Sequence, residues 1–260
     1  MSQPLQVFAF YATPDLTEQV VEAQVDGLVV DWEYGDKERR QGLYNTQINR
    51  HGSAELSQAR SMFSGTILCR INGGNELSLD EAARAIDLGA SEIIVPMITH
   101  EAQVERLLQA VNGQVGVGLM IETEEALTRA KQLGQLPLSR VYVGLNDLAI
   151  ARGSRNLFLP MVDGTLEAIR PHFAMPFGVA GLTHPALGQP IPSQLLLHEL
   201  IRMQCHFTFL RRSFFRDLSQ YPATEIIQAI RLATSQKHAE PKTAWQAFRS
   251  QVEELSIPLL

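Results

Sequence analysis

Residues 116–122 read GVGLMIE and residues 141–147 read VYVGLND, so two short apolar runs each lead to a carboxylate, Glu122 and Asp147. Short and continuous apolar runs are typical of parallel strands that are covered on both faces. The segment between them predicts a helix over 124–133. Two neighbouring parallel strands would therefore bring both carboxylates to one spot at their carboxyl ends.

Strand-like runs of this kind recur along the chain and alternate with helix signals. Most of their starts are separated by 20–30 residues, which suits strand–helix units and predicts a (β/α)₈ barrel, a TIM barrel, with a C-terminal helical extension. The main alternative is an open doubly wound sheet, but Gly73–Gly74 is a poor match to the glycine-rich phosphate loop of such sheets. The eight predicted strands are 7–11, 27–32, 66–71, 92–97, 115–121, 140–145, 177–181 and 207–211.

Capping residues mark several of the predicted helices. Thr13 followed by Pro14 is a helix start, and residues 78–81, SLDE, form a capping-box pattern that predicts a helix over 80–88. Gly89 would end that helix. Amphipathic helices are also predicted over 194–203 and 224–235.

Composition and charge exclude several classes of protein. The 260 residues carry a net charge of −6, and no basic cluster predicts nucleic-acid binding. Apolar runs fall well short of the roughly 18 residues that cross a bilayer, so no membrane partner is expected. The first residues, MSQP, lack the features of a signal peptide, and with only two cysteines a cytoplasmic protein without disulfides is expected.

Charged and polar side chains gather at the predicted strand ends. Two carboxylate ligands leave coordination positions of a metal ion open, which suits Mg²⁺ or Mn²⁺. The planar guanidinium of arginine suits a small carboxylate, because it can donate two parallel hydrogen bonds. Each acid could instead cap or salt-bridge the following helix, and Arg70 could form a structural ion pair with Asp31 or Glu33. By strand alternation, only one of Arg211 and Arg212 should face the site. The candidates are Asp31, Glu33, Arg70, Asn72, Glu122, Asn146, Asp147 and Arg211.

Four motifs at these strand ends resemble the HpcH/HpaI aldolase and citrate lyase β-subunit family. They match its D-x-E, R-[VI]-N, IET and G-x-x-DL elements, in the family's order, at 31–33, 70–72, 121–123 and 144–148. The resemblance spans about residues 7–215 and implies a metal-dependent barrel of the phosphoenolpyruvate/pyruvate superfamily.

That resemblance also implies roles for individual residues. Glu122 and Asp147 would ligate Mg²⁺ or Mn²⁺, and Arg70 would contact the substrate's carboxylate or its developing enolate. Backbone N–H groups near Asn146 and Asp147 would also hold the carboxylate. Asn72 and Arg211 are further candidates for substrate binding.

The chain departs from the family at the residue expected to act as the catalytic base. Aldolases of the family carry a histidine directly after the D-x-E acid, whereas this chain has Tyr34. Candidates for handling the proton are Asp31, Glu33, Tyr34 or a metal-bound water, and His51, His100 and His184 are alternative replacements. No lysine follows a predicted strand, which disfavours a Schiff-base aldolase.

The expected function is a divalent-metal-dependent carbon–carbon lyase or aldolase acting on a small 2-oxo acid or related carboxylate through a stabilised enolate. Alternatives are a citryl- or malyl-CoA-type thioester lyase and a metabolite-binding barrel of the same superfamily. Hydrolysis or phosphoryl transfer on an enolpyruvate would need a phosphate cradle, and no such motif is present.

The C-terminal segment predicts assembly. Residues 1–236 would form the catalytic barrel and 237–260 an extension, in which a helix over 243–255 has no strand to cover. Its apolar stripe of Trp245, Phe248, Val252 and Leu255 would pack on a neighbouring subunit. Family members are typically oligomeric, so a homo-oligomer, trimer or hexamer, is expected; the alternative is that the stripe folds back on its own barrel.

Overall fold

Eight parallel strands form a closed barrel in chain order, and the first strand also pairs with the last. The structure is a computed structural model that describes residues 4–34, 51–73, 77–235 and 241–255. It confirms the predicted TIM barrel. The strands are β1 (Gln6–Phe10), β2 (Gly27–Asp31), β3 (Thr66–Arg70), β4 (Glu92–Val95), β5 (Gly116–Ile121), β6 (Arg140–Val143), β7 (Phe177–Leu182) and β8 (Phe207–Leu210).

Helices connect the strands and form the outer layer. In the described part of the chain they are α1 (Pro14–Glu22), α2 (Ser53–Met62), α3 (Leu77–Asp87), α4 (Glu101–Val111), α5 (Glu124–Thr128), α6 (Ala130–Leu133), α7 (Leu145–Ala151), α8 (Thr165–Ile169), α9 (Ser193–Arg202), α10 (Ser213–Asp217), α11 (Ala223–Ser235) and α12 (Pro241–Glu254), with 3-10 turns at Leu159–Met161 and Arg170–His172.

Two predicted helix boundaries are wrong, and two caps are confirmed. Helix α3 begins at Leu77, so Ser78 lies within its first turn, where the hydroxyl donates to the backbone oxygen of Asn72. The predicted helix 124–133 is divided at Arg129, whose backbone leaves the helical conformation. Thr13 caps α1 as predicted, and Gly89 adopts a positive φ of 91° after α3.

The barrel interior is filled by side chains that point inward from the strands. Phe8, Leu68 and Phe207 are almost fully buried there, and the rings of Phe8 and Phe207 meet edge to face at 5.8 Å. Gly27 leaves the room for Phe8, because a Cβ at that glycine would overlap the phenyl ring. This packing closes the interior below the carboxyl ends of the strands, which leaves those ends as the place for a cavity.

The C-terminal helix α12 packs on α9 of the same chain. Phe248 and Val252 are buried, and the guanidinium of Arg202 lies 4.3 Å from the centre of the Trp245 ring. The alternative considered from the sequence, that the stripe folds back on its own barrel, therefore describes Phe248 and Val252, which lie on the helix that packs against α9. Leu255 remains 38% exposed, and the homo-oligomer itself stays a prediction.

Two further expectations concern membrane spans and disulfides. No helix in the described ranges is long and apolar enough to cross a membrane. Cys69 and Cys205 are both free, as expected for a chain without a disulfide framework. The predicted break between barrel and extension, at 237–240, lies outside the described residues.

Candidate active site

A cavity of about 640 Å³ opens at the carboxyl ends of the strands. Its floor includes Phe10, Met120 and Phe209, the uppermost apolar side chains of the barrel interior. Six of the predicted site residues line it together, as expected for side chains from different strand ends of one barrel. They are Asp31, Arg70, Glu122, Asn146, Asp147 and Arg211.

Arg70, at the end of β3, is held in a fixed orientation by the acids of β2. Its Nε and Nη2 donate to the two carboxylate oxygens of Asp31 at 2.8 and 2.6 Å, and Nη1 lies 3.5 Å from Glu33. Burial lowers the pKa of Arg70, but Asp31 and Glu33 outweigh that effect and raise it above its usual value. The structural ion pair considered from the sequence is therefore present, and Arg70 still faces the cavity.

Glu122 points into the top of the barrel because it lies two residues after the inward-facing Met120. Its Oε1 accepts a hydrogen bond of 2.8 Å from the backbone N–H of Met97, which has a φ of 54°. Gly144 lies directly against the carboxylate, because a Cβ there would overlap Oε2 of Glu122. Neither Met97 nor Gly144 was among the predicted site residues, although the position of Gly144 two residues after inward-facing Tyr142 was a usable signal.

The electrostatic surroundings of Glu122 disfavour a bare negative charge. Burial, together with the nearby charges of Glu33 and Asp147, raises the pKa of Glu122 to about 8. Arg70 and the Met97 N–H act in the opposite direction but do not cancel this shift. A cation placed between the acids would relieve their repulsion, so the site suits a positively charged partner.

The residues of the site fit a divalent ion that keeps some of its coordination positions open for water or substrate. Asp147 lies in the first turn of α7, after β6, and is only 8% exposed where it meets the cavity beside Glu122. No three His, Cys, Asp or Glu side chains form a ready metal cage in the described part of the chain. Mg²⁺ does not need such a cage, because it is commonly held by one or two carboxylates, water and substrate oxygens.

Asn72 and Tyr34 lie outside the cavity lining. The side-chain amide of Asn72 donates to the Trp32 oxygen at 3.0 Å and to Glu81 at 2.7 Å, and its oxygen accepts from the Tyr34 N–H. Asn72 therefore braces the segment that follows β2. The Tyr34 side chain is 48% exposed. Glu33, by contrast, is buried, and it influences the site through its ion pair with Arg70.

None of the three histidines proposed as replacement bases lines the cavity. His51 accepts a hydrogen bond from the Asp31 backbone N–H through Nδ1, at 3.1 Å. His100 is exposed at the start of α4. His184 stacks on Tyr221, with ring centres 4.2 Å apart. His51 and His184 therefore have local contacts away from the cavity, and His100 faces outward.

Both arginines that follow β8 line the cavity, so the prediction that only one faces the site is wrong. The strand ends at Leu210, and strand alternation no longer applies to Arg211 and Arg212. Ser213, which was not among the predicted site residues, lines the cavity beside them.

Solved structures share this architecture. A citrate lyase from Burkholderia xenovorans LB400 matches with a TM-score of 0.63 at 15% identity, covering 98% of this chain and 84% of that one. RipC from Yersinia pestis matches with a TM-score of 0.59 at 15% identity, covering 90% and 97%. Citrate synthase SbnG matches with a TM-score of 0.59 at 17% identity, covering 85% and 93%.

These matches establish the fold. The chain shares its barrel architecture with these three solved structures. No family model matches the chain, and no curated protein sequence matches it.

Proposed function

We propose that the chain is a divalent-metal-dependent carbon–carbon lyase or aldolase that acts on a small 2-oxo acid or related carboxylate. The observation that supports this most is the placement of Glu122 and Asp147 in one cavity with Arg70, which Asp31 holds rigidly. The cavity lies at the carboxyl ends of the strands, where TIM-barrel enzymes carry out their chemistry.

Mg²⁺ or Mn²⁺ would be held by Glu122 and Asp147. When bound, such an ion supplies Lewis-acid charge that stabilises a developing negative charge on substrate oxygen by several kcal/mol. The Met97 N–H fixes one oxygen of Glu122, and Gly144 leaves the carboxylate room, so the chain holds this ligand in place before any ion arrives.

Arg70 would orient the substrate and stabilise the enolate. Cleavage beside a carbonyl leaves an electron pair that becomes an enolate, and a fixed guanidinium favours that negative charge. Asp31 is the proton-handling candidate that lines the cavity, and no lysine is present among the described lining residues to form a Schiff base. Asn146 and Arg211 would contact the rest of the substrate.

A turnover assay with Mg²⁺, Mn²⁺ or EDTA tests the proposal. Oxaloacetate and 4-hydroxy-2-oxo acids are the substrates, and release of pyruvate is the signal. We expect turnover only with the metal, and its loss in Asp147→Asn but not in Glu105→Gln, an exposed acid on α4. Full activity in EDTA, or unchanged Mn²⁺ binding in Asp147→Asn, would contradict the metal assignment.

Two alternatives have observations in their favour. The volume of about 640 Å³ exceeds what a three-carbon acid fills, which is compatible with a citryl- or malyl-CoA-type thioester. The exposed Tyr34 in place of a histidine base is compatible with a metabolite-binding barrel. A thioester cleavage assay tests the first, and pyruvate binding without turnover of any substrate would favour the second.

A further inference from the structure

One side of the cavity is formed by a loop that follows α7. Leu157 and Phe158 line the cavity together with Asn146 and Asp147, which lie in the first turn of α7. Phe158 is buried in the main apolar core, and Leu157 packs against that core. We call residues 154–158 the cavity loop. Its position sets the shape of the cavity beside one of the acids that we assign to the metal.

Asn156 organises the cavity loop from within. Its backbone N–H donates to the Ser154 hydroxyl at 3.0 Å, and its side-chain oxygen accepts a hydrogen bond of 3.1 Å from the Phe158 N–H. Asn156 is only 5% exposed. A buried amide is costly unless its oxygen and its nitrogen both have partners, so these contacts restrict the loop to one arrangement.

The nitrogen of the same amide binds the C-terminal helix. Nδ2 of Asn156 donates to the backbone oxygen of Val252 at 2.6 Å, in a buried hydrogen bond between residues 96 positions apart in the sequence. Val252 lies in the last turn of α12, where carbonyl oxygens lack donors from their own helix. One side chain therefore connects the cavity loop to the end of α12.

Helix α12 is anchored away from the cavity. It packs on α9, with Phe248 and Val252 buried, and the Trp245 ring stacks on Phe248 and lies 4.3 Å from the Arg202 guanidinium. Among the described residues, none from α12 lines the cavity. An effect of α12 on the cavity therefore needs an intermediate residue, and Asn156 contacts both.

We propose that Asn156 is a positioning residue that makes substrate binding depend on the docking of the C-terminal helix. The inference rests on the proposed function, in which this cavity is the active site. While α12 is docked, Val252 holds Asn156, and the cavity loop keeps Leu157 and Phe158 against the substrate. When α12 leaves α9, the Asn156 amide loses that partner, and the cavity opens beside Asp147.

Hydrogen exchange followed by mass spectrometry tests this connection, because coupling between two sites acts in both directions. The probe is 4-methyl-2-oxopentanoate with Mg²⁺, whose branched end extends beyond the 2-oxo acid group that the metal and Arg70 would hold. We expect the bound probe to slow exchange in residues 154–163 and also in residues 241–255 of the parent protein. A bound probe that leaves exchange in residues 241–255 unchanged would overturn the inference.

Two variants of Asn156 separate the connection from the order of the loop itself. Asn156→Asp keeps an oxygen for the Phe158 N–H but lacks the Nδ2 donor, whereas Asn156→Ala loses both contacts. In both variants, the probe should slow exchange in residues 154–163 but no longer in residues 241–255. Arg249→Gln, an exposed change on the same helix, is the matched control and should behave like the parent. A response of residues 241–255 that persists in both Asn156 variants would contradict the inference.

A double-variant cycle tests the effect on substrate binding from the side of the helix. Trp245→Ala removes the ring that packs on Phe248 and Arg202, and it changes no residue of the cavity loop. In the pyruvate-release assay, we expect KM to rise by about twofold or more in Trp245→Ala and in Asn156→Ala, with kcat nearly unchanged because the metal ligands stay in place. The double variant should resemble Asn156→Ala, since the connection is already lost. Effects on KM that multiply would show that helix and loop act independently, which overturns the inference.

The inference and the proposed function fail in different ways. Absence of both probe binding and turnover in the parent protein would count against the proposed function. The connection is then judged without any ligand: Trp245→Ala should speed exchange in residues 154–163 by about twofold or more in the parent background, and should add nothing in Asn156→Asp. Unchanged exchange in residues 154–163 of Trp245→Ala would overturn the role of Asn156.

Discussion

The two ends of the barrel interior each contain a buried arginine, and the two differ in the number of acids around them. At the amino ends of the strands, Nε of Arg140 contacts Glu92 at 2.7 Å, and its guanidinium lies 4.8 Å from the ring centres of both Phe8 and Phe207. At the carboxyl ends, Arg70 pairs with Asp31 at 2.6 Å.

At the amino end Arg140 has one acid, Glu92, and its Nη1 is buried without a hydrogen-bond partner among the described residues, whereas the carboxyl end has further acids and a cavity. Glu92 accepts from Arg140 and from the Ser139 hydroxyl, and aromatic rings cover the pair. Beside Arg70 lie Glu122 and Asp147, whose mutual repulsion contributes to the raised pKa of Glu122. A buried ion pair alone therefore indicates structure, and additional acids beside a cavity indicate function.

The largest expected effect is on activity at the carboxyl end. Glu122→Gln keeps an oxygen for the Met97 N–H but removes the charge that would hold the metal. We expect turnover to fall by about 100- to 1000-fold, the range for losing one strong electrostatic contribution to catalysis. Urea unfolding of the metal-free variant at neutral pH should show a stability close to the parent's, because the pKa of about 8 leaves Glu122 largely uncharged there. If Glu122→Gln lost stability but kept its activity, Glu122 would have a structural role, and the functional assignment of the carboxyl end would be wrong.

The matching change at the amino end should affect stability. Glu92→Gln leaves the Arg140 guanidinium without its carboxylate, and we expect the free energy of unfolding to fall by about 3 kcal/mol or more, as for other broken buried pairs. Glu253→Gln, which disrupts the exposed Arg249–Glu253 pair, is the control and should cost at most about 1 kcal/mol. Equal urea midpoints for the two variants would contradict the comparison.

A third change tests whether Gly144 provides room for Glu122. In Gly144→Ala, the added Cβ would displace the carboxylate, and Mn²⁺ affinity should fall by roughly 10- to 100-fold, as for lost support of a metal ligand. Gly113→Ala, where a Cβ meets no atom within 4 Å but φ is 71°, controls for backbone strain. Calorimetry that shows the same Mn²⁺ affinity in both variants would remove Gly144 from the site.

The smallest expected effect concerns the shape of the Arg70 side chain. Arg70→Lys keeps the charge but cannot make both hydrogen bonds to Asp31 with a planar fork, so turnover should fall by about tenfold, or roughly 1.4 kcal/mol of transition-state stabilisation. The pyruvate-release assay measures it. A variant as active as the parent would restrict Arg70 to the structural role of Arg140.

Much of the fold could be predicted because it rests on local patterns. The strand ending at Ile121 is a continuous apolar run, and a strand buried on both faces needs such a run whatever its neighbours are. The exact start of α3 could not be predicted, because the Ser78 hydroxyl donates to the backbone oxygen of Asn72, six residues earlier, a contact that no local pattern reports. The packing of α12 on α9 likewise depends on a surface that is distant in sequence.

The candidate site divides in the same way. Residue type and strand-end position were enough to place Arg70, Glu122 and Asp147 in one cavity, since closure of a parallel barrel brings all strand ends to one side. Asn72 likewise lies just past the end of its strand, yet its side chain turns to Glu81 and the Trp32 oxygen. The competing hydrogen bonds decide its orientation, and no periodicity reports them.

The sequence by itself determined the eight strand–helix units and the acids and arginines that end the strands, because apolar runs and charged residue types are local properties. Only the tertiary structure decided which of those charged side chains lie next to one another. It buried Glu92 with Arg140 and placed Glu122 beside Asp147, although all four are charged residues at strand ends or close to them. The physical reason is that charge compensation and space depend on neighbours from other strands, which come together only when the barrel closes.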